Sequence, residues 1–295
     1  VDDVAEFEAQ RPRMFGIAYR MLGSATEAED IVQDAYLRWS QADSVDLPAA
    51  WLTTVVTNLC LNHLTSARAR RESYVGPWLP EPVATGDGAL GPVDTVERRE
   101  SVSLALLVVL ERLTPIERAV FVLREAFAYP HADIAGILGR TEANCRQVHH
   151  RAKQRLADHR PRTSTGLDRT LVERFFAAAD DGDVAGLERL LVTDAVSWAD
   201  GGGKVNTARK PILGANRVAR YLSGILARPT AAREVTFAEV NGDLALLGWV
   251  GVRLSGLVIP QVEAGRVVAL RIVANPDKLG YLAAQLSRSG ELSGQ

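Results

Sequence analysis

From residue 3 to about residue 73, and again from about residue 93 to 158, apolar residues recur every three or four positions. Beyond about residue 233 they fall in short blocks broken by Asn241-Gly242, Ser255-Gly256 and Ala264-Gly265. The first spacing is that of helices with one buried face, the second that of strands joined by tight turns. A chain whose periodicity changes in this way cannot build one uniform core, so the sequence specifies helical domains followed by an α+β domain. At 295 residues there is room for two or three such cores.

In the first helical stretch Phe7, Met14, Phe15, Ala18, Met21 and Leu22 form an apolar stripe. Thr26 and Glu29 have the spacing of a capping box, which opens a helix with Ile31, Ala35 and Leu37 directed inward. Pro48 marks a further start, ahead of Trp51, Leu52, Val55, Val56, Leu59 and Cys60. From Gly76 to Gly91 the periodicity lapses into a linker rich in proline and glycine, with one apolar cluster, Trp78-Leu79-Pro80-Glu81-Pro82. An indole held among prolines is expected to dock against a domain. Helical spacing resumes near Val93, with Thr114, Pro115 and Glu117 supplying a cap, a first-turn proline and a returning carboxylate.

A second seam lies at Pro161 to Gly166. After it come one helix around Phe175 and Phe176, another around Leu187 and Leu190, and a third from Ala215 to Ala227. Strands over 235–240, 244–254, 257–262 and 267–273 make a curved antiparallel sheet. The expected domains are therefore 1–75, a linker over 76–92, 93–162, and 163–295.

Charge narrows the function. The net value is only −2, which is unlike a protein that coats nucleic acid indiscriminately, yet the charges lie in blocks. Residues 1–66 hold 4 Arg or Lys against 10 Asp or Glu, and Arg68, Arg70 and Arg71 follow at once. A second basic cluster comprises Arg146, Arg151, Lys153, Arg155, Arg160 and Arg162, with His149 and His150 among them. Apolar runs stay well short of 18 residues and no basic segment leads into one, so a cytoplasmic protein without membrane contact is expected. Cys60 and Cys145 sit in helical apolar patterns and read as buried thiols. Neither the cysteines nor any other grouping has metal-ligand spacing, no loop is built to cradle phosphate, and neither cofactor nor catalytic residues are assigned.

DNA-reading chemistry is concentrated between His131 and Leu156. Ile134, Ala135, Ile137 and Leu138 give a short helix its buried face, Gly139 can end it in the left-handed conformation, and Thr141 can cap the next helix. There Cys145, Val148, Ala152 and Leu156 face inward, leaving Asn144, Gln147, His150 and Arg151 outward with Arg146 and Lys153 alongside. Such a helix suits the major groove: amides and guanidinium groups reach base edges while flanking cations meet phosphates. His149 is expected to be partly packed. A salt-bridged surface helix is the alternative, and the company of a short helix and a glycine turn argues against it.

With these residues in view, the first 160 positions resemble an extracytoplasmic-function sigma factor. Ala28 to Trp39 resembles the helix that grips core RNA polymerase, which implies contacts from Asp30, Gln33, Asp34 and Arg38. Trp51 to Leu64, with the arginines after it, resembles the part that melts and reads the minus-ten element. An unpaired base needs short polar groups beside cations, so Asn58, Asn62 and His63 with Arg68, Arg70 and Arg71 are the candidates. The helix-turn-helix resembles the reader of the minus-thirty-five element, implying Thr141, Asn144, Arg146, Gln147, His150, Arg151 and Lys153.

Trp78-Leu79-Pro80-Glu81-Pro82, Asp200-Gly201-Gly202-Gly203-Lys204 and Asn275-Pro276-Asp277-Lys278-Leu279 resemble the signatures of a subgroup fused to a SnoaL-like domain of the nuclear-transport-factor-two fold. The resemblance implies a domain that regulates in cis, through Trp78, Pro80, Glu81, Asp200, Lys204, Asn275, Asp277 and Lys278. The implied partners are core RNA polymerase and promoter DNA, both duplex and melted. The sequence leaves open a small ligand in the C-terminal domain, and with it the oligomeric state. Two other readings are weighed beside this one. SnoaL-like domains include polyketide cyclases, for which Asp200 would be the base. A helix-turn-helix regulator with a ligand-binding or enzymatic domain is the second, but it needs neither the polymerase-gripping helix nor the melting region.

Overall fold

The computed structural model describes residues 3–42, 45–72, 74–85, 102–157, 169–226 and 233–288. The chain divides into two compact units, one of residues 1–73 and 87–161 and the other of residues 74–86 and 162–295.

The first unit is helical among its described residues. Helices α1 (Asp3–Leu22), α2 (Ala25–Trp39) and α3 (Pro48–Glu72) pack around Phe7, Met14, Phe15, Met21, Ile31, Val32, Leu52, Val56 and Cys60, all buried. Two details of the expected local structure change. The cap of α2 is Ser24, whose hydroxyl accepts from the Glu27 amide at 3.1 Å, rather than Thr26. Gly23, at φ +66, ends α1 early enough for Ser24 to take the extended cap conformation. Leu37 is 52 % exposed rather than inward, while Ile31 and Ala35 are buried. Inward positions on this helix fall at 28, 31, 32, 35 and 39, and 37 lies off that stripe.

Helices α4 (Leu104–Leu110), α5 (Pro115–Phe121), α6 (His131–Leu138) and α7 (Glu142–Ala157) complete this unit, and α5 runs into a π-helical turn at Val122–Ala126. The capping box at Thr114 and Glu117 forms as its spacing predicts, with reciprocal bonds of 3.4 and 3.0 Å. Gly139 adopts φ +60 and ends α6, and Cys145, Val148, Ala152 and Leu156 face the core. Both cysteines are buried, and burial pushes the Cys60 and Cys145 thiols up, as inert core groups require.

The second unit is the expected α+β domain. Helices α8 (Arg169–Asp180), α9 (Val184–Leu190) and α10 (Ala215–Leu226) accompany strands β1 (Leu191–Asp200), β2 (Ile212–Leu213), β3 (Arg233–Val240), β4 (Asp243–Val250), β5 (Arg253–Glu263) and β6 (Arg266–Val273), with α11 (Pro276–Arg288) at the end. The sheet order is β2-β1-β6-β5-β4-β3. β1 runs parallel to β6 and every other neighbouring pair is antiparallel, so the sheet is mixed rather than purely antiparallel. The turn expected at Ser255-Gly256 lies instead at Gly251 (φ +58) and Val252. Gly256 is inside β5, where a Cβ would meet the Val273 carbonyl at 3.2 Å.

Phe175, Phe176, Leu187, Val218 and Leu222 from the helices cover one sheet face at Ala195, Ala199, Leu246, Val258, Leu270 and Ile272. Strand alternation sends Ala245, Leu247, Leu257, Ile259 and Val273 to the opposite face, where they are buried as well. α11 packs on β5, and its Leu279, Leu282 and Leu286 are buried with Leu79 and Val83 of the 74–85 segment.

Candidate nucleic-acid interface and linker clamp

Asp30, Gln33, Asp34 and Arg38 are all exposed on α2, and the exposed side chain of Leu37 lies among them. Leu37 thus belongs to this exposed stripe and not to the core.

On α3, Asn58 and Asn62 are exposed one turn apart and share a face. His63 is partly buried and its Nε2 lies 3.1 Å from Glu27 Oε1 at the start of α2, so it turns towards α2 instead of joining the two asparagines. The backbone of Arg68, Arg70 and Arg71 continues α3, and their side chains lie outside the described residues.

In α7, Arg146, Gln147, His150, Arg151 and Lys153 are exposed and Asn144 partly so. Thr141 Oγ1 accepts from the Asn144 amide at 3.2 Å, capping the helix. Arg146 pairs with Glu142 one turn back, and Lys153 stands 3.9 Å from Glu125. His149 is fixed sideways: its Nε2 is 2.8 Å from Glu125 Oε1, and its Nδ1 is 3.3 Å from His131 Nε2. Burial lowers both histidine pKa values, so each ring stays neutral at neutral pH.

The signatures that stand far apart in sequence meet around one carboxylate. Asp200, at the end of β1, is wholly buried, and four donors fill its two oxygens. Oδ1 accepts from the Tyr74 hydroxyl at 2.5 Å and the Gly202 amide at 3.0 Å; Oδ2 accepts from the Leu79 amide and Lys278 Nζ, both at 2.8 Å. Lys278 also donates to the Leu79 carbonyl at 2.5 Å and stands 4.6 and 4.5 Å from the Tyr74 and Trp78 ring centroids. Asn275 Nδ2 donates to the Tyr74 hydroxyl at 2.7 Å. Burial, then the hydrogen bond to Asp200, pushes the Tyr74 phenol up, so it remains a donor.

The glycine run follows from this closeness. Gly202 and Gly203 have φ +59 and +72, and a Cβ on Gly202 would overlap the Asn275 amide. Pro80 and Glu81 are buried, and Trp78 is partly so. Lys204 and Asp277 form an exposed pair at 2.6 Å. A second grip holds the end of the segment. Val83 exchanges bonds of 3.1 and 2.9 Å with Asn241, the Ala84 amide donates to Gln285 Oε1 at 3.0 Å, and Thr85 Oγ1 donates to Glu239 Oε1 at 2.8 Å. The stretch 74–85 is thus built into the C-terminal unit. A saturated buried carboxylate has no lone pair facing a substrate, which removes Asp200 as a catalytic base.

Asp243 follows the turn that holds this grip. Burial raises its carboxyl to about 6, with Arg271 opposing and Glu239 adding to the rise. A folded pKa above the ordinary 3.8 means that the stability this group contributes is fully present below that value and is lost as pH rises through 6. Asp243→Asn is therefore expected to raise the unfolding temperature of the C-terminal unit by several degrees at pH 7, on the order of 2 kcal/mol, and to change little at pH 4. Calorimetry at both pH values checks this; an equal shift at pH 4 would assign the effect to packing.

Residues 7–70 match the family model for sigma-70 region 2, and residues 103–156 match that for sigma-70, region 4. The chain is 41 % identical over 289 residues to the ECF RNA polymerase sigma factor SigJ of Mycobacterium tuberculosis, covering 94 % of this chain and 93 % of the relative. It is 33 % identical to the probable ECF RNA polymerase sigma factor SigI of the same species, over 96 % of each. The crystal structure of SigJ superposes with a TM-score of 0.73 at 38 % identity, covering 94 % of this chain and 98 % of the other. Two helical sigma regions define a promoter-recognition subunit of RNA polymerase. The chain belongs to the extracytoplasmic-function (ECF) family of RNA polymerase sigma factors, and its C-terminal unit is an α+β domain built on a six-stranded mixed sheet. The relatives matched along nearly the whole chain are named as ECF RNA polymerase sigma factors. Among the described residues no helix is long and apolar enough to cross a membrane.

Proposed function

We propose that the two sigma regions divide promoter reading between α3 and α7, and that the C-terminal domain governs this reading in cis by holding the 74–85 segment. The observation that carries the proposal is the Asp200–Lys278 clamp, which takes hold of the connection between the sigma regions shortly after α3 ends at Glu72. On this reading α2 docks on core polymerase through Asp30, Gln33, Asp34, Leu37 and Arg38. Asn58 and Asn62 meet the melted minus-ten strand, with Arg68, Arg70 and Arg71 on its backbone, while His63 orients α3 through Glu27. Gln147, His150 and Arg151 reach base edges of the minus-thirty-five duplex; Arg146 and Lys153 meet phosphates, and Thr141 and Asn144 shape the helix start. α11 packs on β5, and the buried 79–85 stretch is bonded to Asn241, Gln285 and Lys278, which supports a domain that works through protein contacts.

Run-off transcription with core polymerase tests the whole reading, and α7 offers the sharpest comparison. Gln147→Ala is expected to relax base preference at one promoter position by about 1–3 kcal/mol. Lys153→Ala is expected to weaken binding evenly across sequences and to reduce the salt slope by about one. Base preference altered by Lys153→Ala at an unchanged salt slope would overturn this sorting.

A further inference from the structure

The reading helix α7 is tied to two neighbouring elements by a chain of three titratable side chains. His149, on α7, keeps only 12 % of its side chain exposed. Its Nε2 is 2.8 Å from Oε1 of Glu125 on the π-helical turn, and its Nδ1 is 3.3 Å from Nε2 of His131, the first residue of α6. A carboxylate offers only acceptors, so Nε2 of His149 carries the hydrogen in the bond to Glu125. In the neutral ring Nδ1 is then an acceptor, and Nε2 of His131 must donate to it. The Phe121 ring of α5 stands beside His149, with centroids 6.4 Å apart. Pro130 gives α6 no side-chain cap, so the bond between the two histidines is a side-chain tie from the first turn of α6 to α7.

The charges around the pair decide what a proton does to it. Arg124 stands on the π-helical turn, Arg146 and Lys153 lie one turn to either side of His149 on α7, and Glu125 and Glu142 are the acids that face the rings. Arg124 donates to the Tyr129 carbonyl at 3.0 Å, Arg146 pairs with Glu142, and Lys153 stands 3.9 Å from Glu125. One proton fits this chain. A charged His149 can donate from both nitrogens, to Glu125 and to a His131 ring whose own hydrogen has moved to Nδ1. A second proton does not fit, because it leaves N–H facing N–H across 3.3 Å with no acceptor between two cations.

From this geometry we infer that Glu125, His149 and His131 are positioning residues for the reading helix and make recognition of the minus-thirty-five element sensitive to protons. Recognition holds while the histidine pair carries at most one proton and weakens when the second breaks the tie between α6 and α7. The inference rests on the proposed reading of that element by α7. In a helix-turn-helix the first helix crosses the phosphate backbone while the second enters the groove, so the tie fixes the angle at which Gln147, His150 and Arg151 meet the bases. Burial is the main cause that holds both rings below the ordinary 6.5; Arg124 and Arg146 add to it at His131, and at His149 His131 and Lys153 add to it against the opposite pull of Glu125. A group with a depressed folded pKa contributes stability that is present above 6.5 and is lost as pH falls through the folded value. Recognition is therefore expected to be level above 6.5 and to fall in acid.

The test uses holoenzyme made from the full chain and core polymerase. Its probes are a duplex that this holoenzyme selects from a random-sequence pool and the same duplex with its minus-thirty-five element scrambled. Their affinity ratio, read by fluorescence polarisation, separates base preference from the general effect of pH on binding. For the parent chain the ratio is expected to drop on the order of ten-fold between about pH 7.5 and about pH 5. His149→Ala is expected to give the lower ratio at both pH values. His131→Gln places an uncharged N–H donor near the position of Nε2, so it should keep the parent ratio at neutral pH and lose most of the fall in acid. Circular dichroism at both pH values verifies folding, and if His149→Ala loses helicity, His131→Gln alone decides. A parent ratio indifferent to pH, a parent-like ratio in folded His149→Ala, or an acid fall that His131→Gln leaves intact overturns the inference; the last result would assign the fall to another group such as His150. Gln147→Ala keeps the two ideas apart. If it lowers the ratio while the parent is indifferent to pH, the positioning chain fails and the reading by α7 stands, whereas a ratio that Gln147→Ala leaves unchanged defeats the reading and the inference with it.

Discussion

In an Asp200→Ala variant the C-terminal unit is expected to lose about 3–5 kcal/mol of stability and to release the 74–85 segment. The magnitude follows from what is stranded. Lys278, 7 % exposed, would lose its carboxylate partner at 2.8 Å, while the Leu79 and Gly202 amides and the Tyr74 hydroxyl would lose an acceptor. Lys204→Ala serves as the contrast, because the Lys204–Asp277 pair is exposed and screened and its loss costs at most about 1 kcal/mol. Hydrogen exchange at the Leu79, Val83 and Ala84 amides distinguishes release from general loosening. These amides should exchange far faster in the Asp200 variant and at the parent rate in the Lys204 variant. Run-off yield should change with the first variant only. Protection retained at Leu79 in Asp200→Ala would show that the carboxylate does not hold the segment.

The parts of this arrangement visible in the sequence are those set by local chemistry. The capping box at Thr114, the glycine that ends α6 and the inward face of α7 are fixed by residues within a few positions of each other, and all three form as read. Leu37 was misread because spacing alone places an apolar residue on a face only to within one position. β1 escaped notice because Leu191 to Asp200 mixes Thr193, Asp194 and Ser197 with small apolar residues, and its strand character comes from pairing with β6 some 75 residues later. The joining of Trp78, Asp200 and Lys278 was legible only as three separate signatures. Which donor reaches which oxygen depends on the sheet placing the end of β1 beside the start of α11, a long-range fact that no local pattern encodes. His63 is a similar case, since its turn towards Glu27 follows from the packing of α2 on α3.

Reversing the exposed face of α2 is expected to have the largest effect on assembly with core polymerase. Leu37→Arg and Asp34→Arg place charge at the centre of a stripe formed by Asp30, Gln33, Asp34, Leu37 and Arg38, where an apolar anchor and the acidic groups beside it would meet the partner. Loss of a central anchor costs about 2 kcal/mol or more, which is roughly a thirty-fold fall in affinity. The fold should not contribute to that fall. Both side chains point to solvent, and the inward residues Ile31, Val32 and Ala35 that hold α2 on the bundle are untouched. Ile31→Asp makes the complementary control, because it should unfold the N-terminal bundle and abolish binding for a different reason, visible as lost helicity. Fluorescence-polarisation titration of labelled chain with core polymerase, paired with circular dichroism, separates these outcomes. Parent affinity in both α2 variants at parent helicity would remove this face as the polymerase contact. A fall confined to Asp34→Arg would leave an electrostatic contact in which Leu37 plays no part.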